Sequence, residues 1–148
     1  MLDLRIIEYG SCEYQEMVEL RTEVLRKPLG LSFSTDQLQK EINDVLIGGF
    51  LTIDGKQQLV ACCILTPVDN DNVQLRQMAV SSLIQGKGLG SEIVTFAEQY
   101  AVNNGFKVLL MHARKVAAGF YLKLGYAIHG DEFIEVGIPH YEMRKNLK

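Results

Sequence analysis

Hydrophobic residues in this chain recur at two spacings, and each spacing is typical of one kind of secondary structure. Steps of three and four place Met17, Leu20 and Val24 on one face of a predicted helix. Gly10-Ser11 offers a start for this helix, and Pro28-Leu29-Gly30 offers an end. The helix follows an alternating run over residues 2–8 that predicts a strand.

A second, shorter helix is predicted after Ser34. Ser34 and Gln37 stand three residues apart, which is the spacing of a capping box. Leu38, Ile42 and Val45 then form the apolar stripe of that helix.

The clearest helical pattern begins at about Gly88 and ends near Asn103-Asn104-Gly105, where a glycine favours helix termination. Its apolar face consists of Leu89, Ile93, Phe96, Ala97 and Tyr100. A last helix is predicted over residues 117–124, and it closes at Gly125.

Strands are predicted where apolar residues run without a helical period. Asp54-Gly55 separates two such runs as a hairpin turn, and the polar residues 69–72 mark another turn. The order β-α-α-β-β-β-α-β-α-β-β predicts an α/β (α+β) fold with helices over a mixed sheet, in a single domain of residues 1–148. The predicted strands cover residues 2–8, 50–53, 59–65, 73–80, 107–112, 127–128 and 141–144.

Composition and charge narrow the possible functions. The 148 residues are 47% hydrophobic and 22% charged, which is ordinary for one globular domain. A net charge of −3 without a long basic run argues against nucleic acid as a partner. No apolar stretch approaches the length of a membrane span, and residues 1–5 lack the features of a signal peptide.

Cysteine usage favours a reducing compartment. Cys12, Cys62 and Cys63 are odd in number, so at least one stays unpaired. Cys62 and Cys63 are adjacent in a predicted strand, and we expect their side chains on opposite faces of the sheet. We therefore expect three reduced, structural cysteines in a cytoplasmic protein, and no cysteine has metal-ligand spacing.

A glycine-rich turn, residues 85–91, links the strand over residues 73–80 to the clearest helix. The first amides of a helix have no intrahelical partners, and the helix dipole adds positive potential there. Glycines let the backbone approach a ligand closely. The turn is therefore predicted to hold phosphate.

Two common phosphate sites do not match this turn. A P-loop needs Ser or Thr after its lysine, but Gly88 follows Lys87. The dinucleotide fingerprint G-x-G-x-x-G also fails, because the glycines run G-x-G-x-G and no acidic residue follows the strand at residues 108–111.

The spacing Gln85-x-x-Gly88-x-Gly90 instead resembles the acyl-CoA pyrophosphate loop of the GNAT superfamily of N-acyltransferases. Downstream, residues 114–126 resemble a later motif of the same superfamily. Ala117, Phe120, Tyr121, Gly125 and Tyr126 match that motif, and Arg114 stands where many members have Asn.

The resemblance covers most of the chain and implies the GNAT fold, with transfer of an acetyl group from acetyl-CoA to a primary amine. It implies that the backbone of Met78, Ala79 and Val80 pairs with the pantetheine arm and polarises the thioester carbonyl. Tyr121 is the implied general acid, since a phenol of pKa about 10 keeps its proton at neutral pH. The other implied acetyl-CoA contacts are Gln85, Gly86, Lys87, Gly88, Leu89, Gly90, Ser91, Arg114 and Phe120, with Tyr121 also in contact.

The general base is not evident. Many members of the superfamily have a carboxylate in the strand before the turn, but here that strand holds Gln74, Arg76 and Gln77, which cannot accept a proton. The candidates are His112, Glu135 and His140, or a chain of water molecules.

The segment Gly137-Ile138-Pro139-His140 resembles the ElaA-like branch of the superfamily, where it lies near the acceptor pocket. By that resemblance Glu135 holds a cationic amine and His140 helps to deprotonate it. The alternative for this segment is a solvated loop between strands.

Two other functions remain open at this level. One is a non-catalytic acyl-CoA-binding module of the same fold, and the other is an unrelated phosphate-binding α/β domain. The sequence does not identify the acceptor, which is a small-molecule or peptide amine, nor the oligomeric state.

Overall fold

A computed structural model of the chain describes residues 2–147. Its centre is an eight-stranded sheet in the order β1-β2-β3-β4-β5-β8-β6, and β7 pairs with β8 beside this path. The strands are β1 (Asp3–Ile7), β2 (Val45–Ile53), β3 (Lys56–Pro67), β4 (Asn72–Val80), β5 (Val108–Arg114), β6 (Ala127–Ile128), β7 (Phe133–Glu135) and β8 (Ile138–Asn146). The helices are α1 (Cys12–Arg21), α2 (Thr35–Gln39), α3 (Leu89–Asn103) and α4 (Ala118–Lys123).

The sheet is mixed, as predicted. β4 and β5 run parallel, because α3 carries the chain back between them, and the other neighbouring strands are antiparallel.

Both faces of the sheet are buried. On one face Cys63 belongs to the same core as Ile93 and Ala97 of α3. On the other face Cys62 belongs to the same core as Met17 of α1. This confirms that the two adjacent cysteines point to opposite faces. Burial on both faces also explains why β3 reads as a continuous apolar run rather than an alternating one.

The predicted second helix is only partly correct. The capping box forms, since the Ser34 hydroxyl accepts from the Gln37 amide and the Gln37 side chain accepts from the Ser34 amide. However, α2 ends at Gln39, Ile42 is 61% exposed, and Val45 begins β2 opposite Leu65. The predicted stripe is wrong because residues 46–50 are buried between β1 and β3, and pairing in the sheet outweighs the helical spacing.

Two irregular turns follow α1, and the first of them contacts β4. A wider π-type turn over Thr22–Arg26 and a 3₁₀ turn over Lys27–Leu29 follow α1, and the region ends at Gly30, as predicted. Arg21 lies fully buried and forms a two-pronged ion pair with Glu41, with nitrogen–oxygen distances of 2.8 and 2.7 Å. The Tyr14 hydroxyl donates to the same carboxylate at 2.8 Å. These bonds tie α1 to the chain beyond α2.

The C-terminal segment forms a hairpin. β7 pairs with the start of β8 across the turn Val136-Gly137, with Phe133 opposite His140 and Glu135 opposite Ile138. The prediction missed β7 and began the last strand too late, at Tyr141. The alternative of a solvated loop is therefore wrong for the strands of this hairpin.

The other predicted elements agree with the structure to within a few residues. Within residues 2–147, no helix is long and apolar enough to cross a membrane.

Candidate active site

β4 and β5 separate part-way along their length. They pair only between residues 72–75 and 108–111, although β4 continues to Val80 and β5 to Arg114. β4 also contains a bulge, where the register with β3 shifts between Cys62 and Ile64 and Gln77 has a φ of 55°. Beyond Leu75 the edge of β4 that faces β5 is therefore unpaired, and it offers backbone donors and acceptors to an extended ligand.

A cavity of about 1030 Å³ occupies this gap. Apart from Lys87 and Ser91, every residue that the sequence singled out for acetyl-CoA, acid catalysis or the acceptor lines it. The Ser91 hydroxyl instead donates to the Gly88 carbonyl at 2.9 Å. The lining residues that were singled out are Met78, Ala79, Val80, Gln85, Gly86, Gly88, Leu89, Gly90, Arg114, Phe120, Tyr121, Glu135 and His140.

The glycine turn leaves the first amides of α3 free. Gly88 is the N-cap residue, and it provides no side chain to accept from the first turn. By contrast, Ser11 caps α1 and Ser34 caps α2. Gly88 has a φ of 76°, and a Cβ atom there would meet nothing within 4 Å, so the space beside this backbone is open. The donors that a phosphate requires are therefore available at one end of the cavity.

Two contacts hold this turn in place. The Gln85 side chain donates to the Val80 carbonyl at 2.9 Å, which ties the turn to the end of β4. A Cβ at Gly90 would lie 3.2 Å from the Phe120 ring, so the absence of a side chain lets α3 approach α4 closely.

Tyr121 lies on α4 with its ring buried at 6% exposure, packed edge-on against Phe120 and Tyr126. Burial raises the pKa of its phenol, because the low-polarity surroundings disfavour the phenolate. The hydroxyl therefore keeps its proton through the neutral range.

The three candidate bases meet at the end of the cavity beside β7. The Nδ1 atom of His112 lies 2.9 Å from Oε1 of Glu135, and Nε2 of His140 lies 3.8 Å from Oε2 of the same carboxylate. Phe133 packs edge-on against the His112 ring and stacks on the His140 ring. The hairpin thus brings Glu135 and His140 to His112, which lies 23 residues before Glu135 in the sequence.

Hydrogen bonds define the tautomers of the two histidines. Nδ1 of His140 lies 2.9 Å from the Ile138 carbonyl, which can only accept, so this nitrogen bears the proton. In the neutral ring Nε2, which is directed toward Glu135, is then the basic nitrogen. The Glu135 carboxylate likewise requires a proton on Nδ1 of His112.

β4 contributes Gln74, Arg76 and Gln77 to the cavity lining, and none of the β4 lining residues is a carboxylate.

Within residues 2–147, no group of three or more His, Cys, Asp or Glu side chains could hold a metal ion.

Sequence reasoning missed Arg26 as a lining residue and treated Arg76 only as a residue unable to act as a base. Both arginines line the cavity, together with Leu25 and Met111. No spacing pattern indicated Arg26, because it reaches the cavity only through the irregular turns after α1.

The comparison with protein families identifies this architecture. A family model described as "Acetyltransferase (GNAT) domain" matches residues 25–147. The chain belongs to the GNAT family. This confirms the superfamily that the two motifs resembled.

Individual proteins share part of the sequence or the fold. The chain is 38% identical to the Bacillus subtilis protein YyaT over 74 residues, which cover 50% of this chain and 50% of YyaT. The match therefore spans about half the length of that relative. Escherichia coli ElaA has the same fold, with a TM-score of 0.77, 19% identity, and coverage of 98% of this chain and 99% of ElaA. A GNAT acetyltransferase from Elizabethkingia anophelis with acetyl-CoA bound gives a TM-score of 0.69 at 17% identity, covering 99% and 97% of the two chains.

Proposed function

We propose that this GNAT protein is an N-acetyltransferase that moves the acetyl group of acetyl-CoA to a primary amine. The observation that supports it most directly is that one cavity joins the uncapped start of α3, the unpaired edge of β4, Tyr121 and the His112–Glu135–His140 group. The activities of the relatives do not by themselves transfer to this chain, because the matches to YyaT and similar proteins cover only half of it.

The cavity suits acetyl-CoA in charge and shape. The free amides between Gly86 and Ser91 would donate hydrogen bonds to the pyrophosphate, and the positive end of the α3 dipole would attract its negative charge. The unpaired edge of β4 at Met78, Ala79 and Val80 would pair with the pantetheine arm as an added strand would. The GNAT structure with acetyl-CoA bound supports this co-substrate.

The chemistry requires a neutral amine and a stabilised oxyanion. Acetyl-CoA supplies a thioester whose carbonyl carbon is the electrophile. A backbone amide beyond the β4 bulge would donate to the carbonyl oxygen and stabilise the negative charge that develops there. The amine nitrogen then forms a bond to the carbonyl carbon, and the carbon–sulfur bond breaks.

Three proton transfers complete the balance. The basic Nε2 of His140, held by the bond from Nδ1 to the Ile138 carbonyl, would take the proton that the ammonium group loses. Glu135 would attract the ammonium group and stabilise the imidazolium that forms. Tyr121, which is protonated at neutral pH, would donate to the leaving sulfur. The attacking nitrogen loses its second proton once its bond to the carbonyl carbon has formed, and that proton would return to the Tyr121 phenolate through water.

The direct test is thiol release from acetyl-CoA in the presence of a panel of primary amines, together with calorimetric titration of acetyl-CoA. We expect binding, and amine-dependent release of CoA. Binding without release for any amine would support the non-catalytic acyl-CoA-binding module instead. Absence of binding would refute both functions.

Exchange of Glu135 for Gln tests whether its carboxylate supports deprotonation of the amine by His140. We expect Glu135→Gln to lower kcat/KM for the amine by at least tenfold with unchanged acetyl-CoA affinity, because the carboxylate is lost but the side-chain shape is kept. Glu132→Gln is the matched control, since Glu132 precedes the same hairpin but contacts Lys115 rather than the cavity. Equal effects of both substitutions would contradict a role for Glu135 in the transfer.

A further inference from the structure

Three arginines from three separate parts of the chain line the cavity. Arg26 comes from the turn after α1, Arg76 from β4 beside the bulge, and Arg114 from the end of β5. The ion pairs of residues 2–147 include none of the three. Among residues 2–147, the Arg114 guanidinium has one hydrogen-bond partner, the Leu25 carbonyl, to which it donates at 3.3 Å.

The three positive charges act on one another. The pKa of Arg26 is lowered, first by burial and then by the charges of Arg21, Arg114 and Arg76. Arg26 also stacks on the Phe33 ring at 4.6 Å, which holds its guanidinium in place. Like charges held together in a partly desolvated cavity are unfavourable unless an anion compensates them.

A smaller side chamber of about 240 Å³ adjoins the cavity, and Arg26 and Arg76 line both. Lys40 adds a third positive charge to the chamber. Glu41 is the carboxylate in its wall, but both oxygens of Glu41 are engaged by Arg21 and Tyr14. The chamber therefore has an excess of positive charge.

Asp44 offsets this excess only in part, because one carboxylate stands against the three positive charges of the chamber. Burial raises the pKa of Asp44, and the charge of Arg76 lowers it. The ion pairs of residues 2–147 do not include Asp44. Glu135 attracts Arg26 from a distance, but its oxygens lie against His112 and His140.

One of the arginines, Arg76, is also displaced from the proposed phosphate site. Arg76 precedes Val80 by four strand residues, which is about 13 Å of extended chain, and the glycine turn begins only after Val80. Arg76 is therefore remote from the amides of α3 along the cavity.

We propose that the acceptor amine also bears an anionic oxygen group, a carboxylate or a phosphate, that Arg26, Arg76 and Arg114 bind. The cavity then holds both ends of a zwitterion, with the ammonium group at Glu135 and His140 and the anion at the arginines. Guanidinium groups suit both anions, because their planar donors match carboxylate and phosphate oxygens in pairs. This inference rests on the proposed acetyl transfer and specifies its substrate class.

Pairs of acceptor amines that differ in one anionic group test the contribution of that group. One pair is leucine and leucinamide, and the other is phosphoethanolamine and ethanolamine. With saturating acetyl-CoA, we expect at least tenfold higher kcat/KM for leucine or for phosphoethanolamine than for its partner, which keeps the amino group but lacks the anion. The pair that shows the difference distinguishes carboxylate from phosphate. Arg76→Gln should reduce that preference at least tenfold.

Lys27→Gln is the matched control, because it removes a positive charge next to Arg26 from an exposed side chain that does not line the cavity. It should leave the preference unchanged. Equal rates with both members of both pairs would overturn the inference and leave the proposed acetyl transfer intact.

Calorimetry tests the anion site separately from acetyl transfer. The protein loaded with CoA is titrated with the same four compounds, which requires no turnover. The anion site is supported, even if no amine is acetylated, when leucine or phosphoethanolamine binds more strongly than its partner and Arg76→Gln abolishes the difference. Indistinguishable binding within both pairs refutes it.

Discussion

Tyr121 shows how burial sets the chemistry of a single side chain. The sequence indicated this residue only by its place in a motif, and an exposed phenol in that place would have an ordinary pKa. Packing against Phe120 and Tyr126 raises the pKa and leaves the hydroxyl protonated in the wall of the cavity. Its role as the general acid remains a prediction, and removal of one oxygen tests it.

Tyr121→Phe keeps the ring and its packing but removes the proton donor. We expect kcat to fall by roughly 10²–10⁴-fold, the usual effect of losing a general acid, with unchanged acetyl-CoA affinity. Tyr100→Phe makes the same change on a tyrosine that packs against the core outside the cavity, and it should leave kcat unchanged. If Tyr121→Phe retains kcat within about twofold, Tyr121 is only a packing residue.

At the scale of elements, the start of α3 differs from the starts of α1 and α2. α1 and α2 begin with serine side chains that satisfy their first amides, whereas α3 begins at a glycine turn that leaves them free. A glycine at the N-cap gives up only a few tenths of a kcal/mol relative to a serine there. The open end becomes useful because the separation of β4 from β5 places a cavity beside it.

Gly88→Asp adds a side chain and a negative charge where we expect the pyrophosphate. We expect acetyl-CoA affinity to fall at least tenfold, about 1.4 kcal/mol, as measured by calorimetry. Gly105→Asp is a matched control, because Gly105 has a φ of 85° with open space around it at the other end of α3. Both variants then share the same kind of backbone strain, and only Gly88→Asp should weaken binding. Equal affinities would place the phosphate elsewhere.

At the scale of the whole molecule, a buried ion pair joins parts of the chain that are remote in sequence. Arg21 and Glu41 lie in the interior on one side of the sheet, and Tyr14 completes the partners of the Glu41 carboxylate. A buried pair of this kind costs much of its Coulomb energy in desolvation, so it adds little net stability, but the loss of one partner leaves an uncompensated charge.

Glu41→Gln should therefore lower the free energy of unfolding by about 3–5 kcal/mol, as measured by urea denaturation at pH 7. Glu23→Gln removes a carboxylate from an exposed pair with Lys27 in the same region, and we expect a loss of about 0.5 kcal/mol or less. The double variant Arg21→Met/Glu41→Leu should recover most of the loss. A loss from Glu41→Gln no larger than that from Glu23→Gln would contradict this account.

Buried tyrosines make the folded state sensitive to alkali. Burial is the first cause that raises the pKa of Tyr14, Tyr121 and Tyr126 above the value near 10 of the unfolded chain. Their contribution to stability is complete below about pH 10 and is lost as the pH rises from there through the folded-state pKa values, because the unfolded chain then binds fewer protons. The buried thiols of Cys62 and Cys63 add a loss of the same sign from about pH 8.5 upward.

We therefore expect the free energy of unfolding to fall between pH 9 and pH 11 in urea titrations. Tyr126→Phe, which removes one of these phenols, should make the fall shallower. A free energy of unfolding that stays constant over this range would show that the buried phenols do not have raised pKa values.

The sequence by itself determined the elements whose signals are local. α3 and the glycine turn were predicted closely, because an amphipathic period over four turns and a run of glycines need no distant partner. The mixed sheet followed from the order of elements, and two motifs were enough to indicate the family.

Tertiary structure decided the features that depend on pairing. β2 begins at Val45 because its neighbours in the sheet bury it, and β7 exists because β8 offers an edge. Strand register places His140 between Arg114 and Phe133, which brings the candidate bases to one point. Arg26, Arg76 and Arg114 line one cavity although they come from the turns after α1, from β4 beside its bulge and from the end of β5. Their spacing in the sequence does not predict this arrangement, because it depends on how those elements pack.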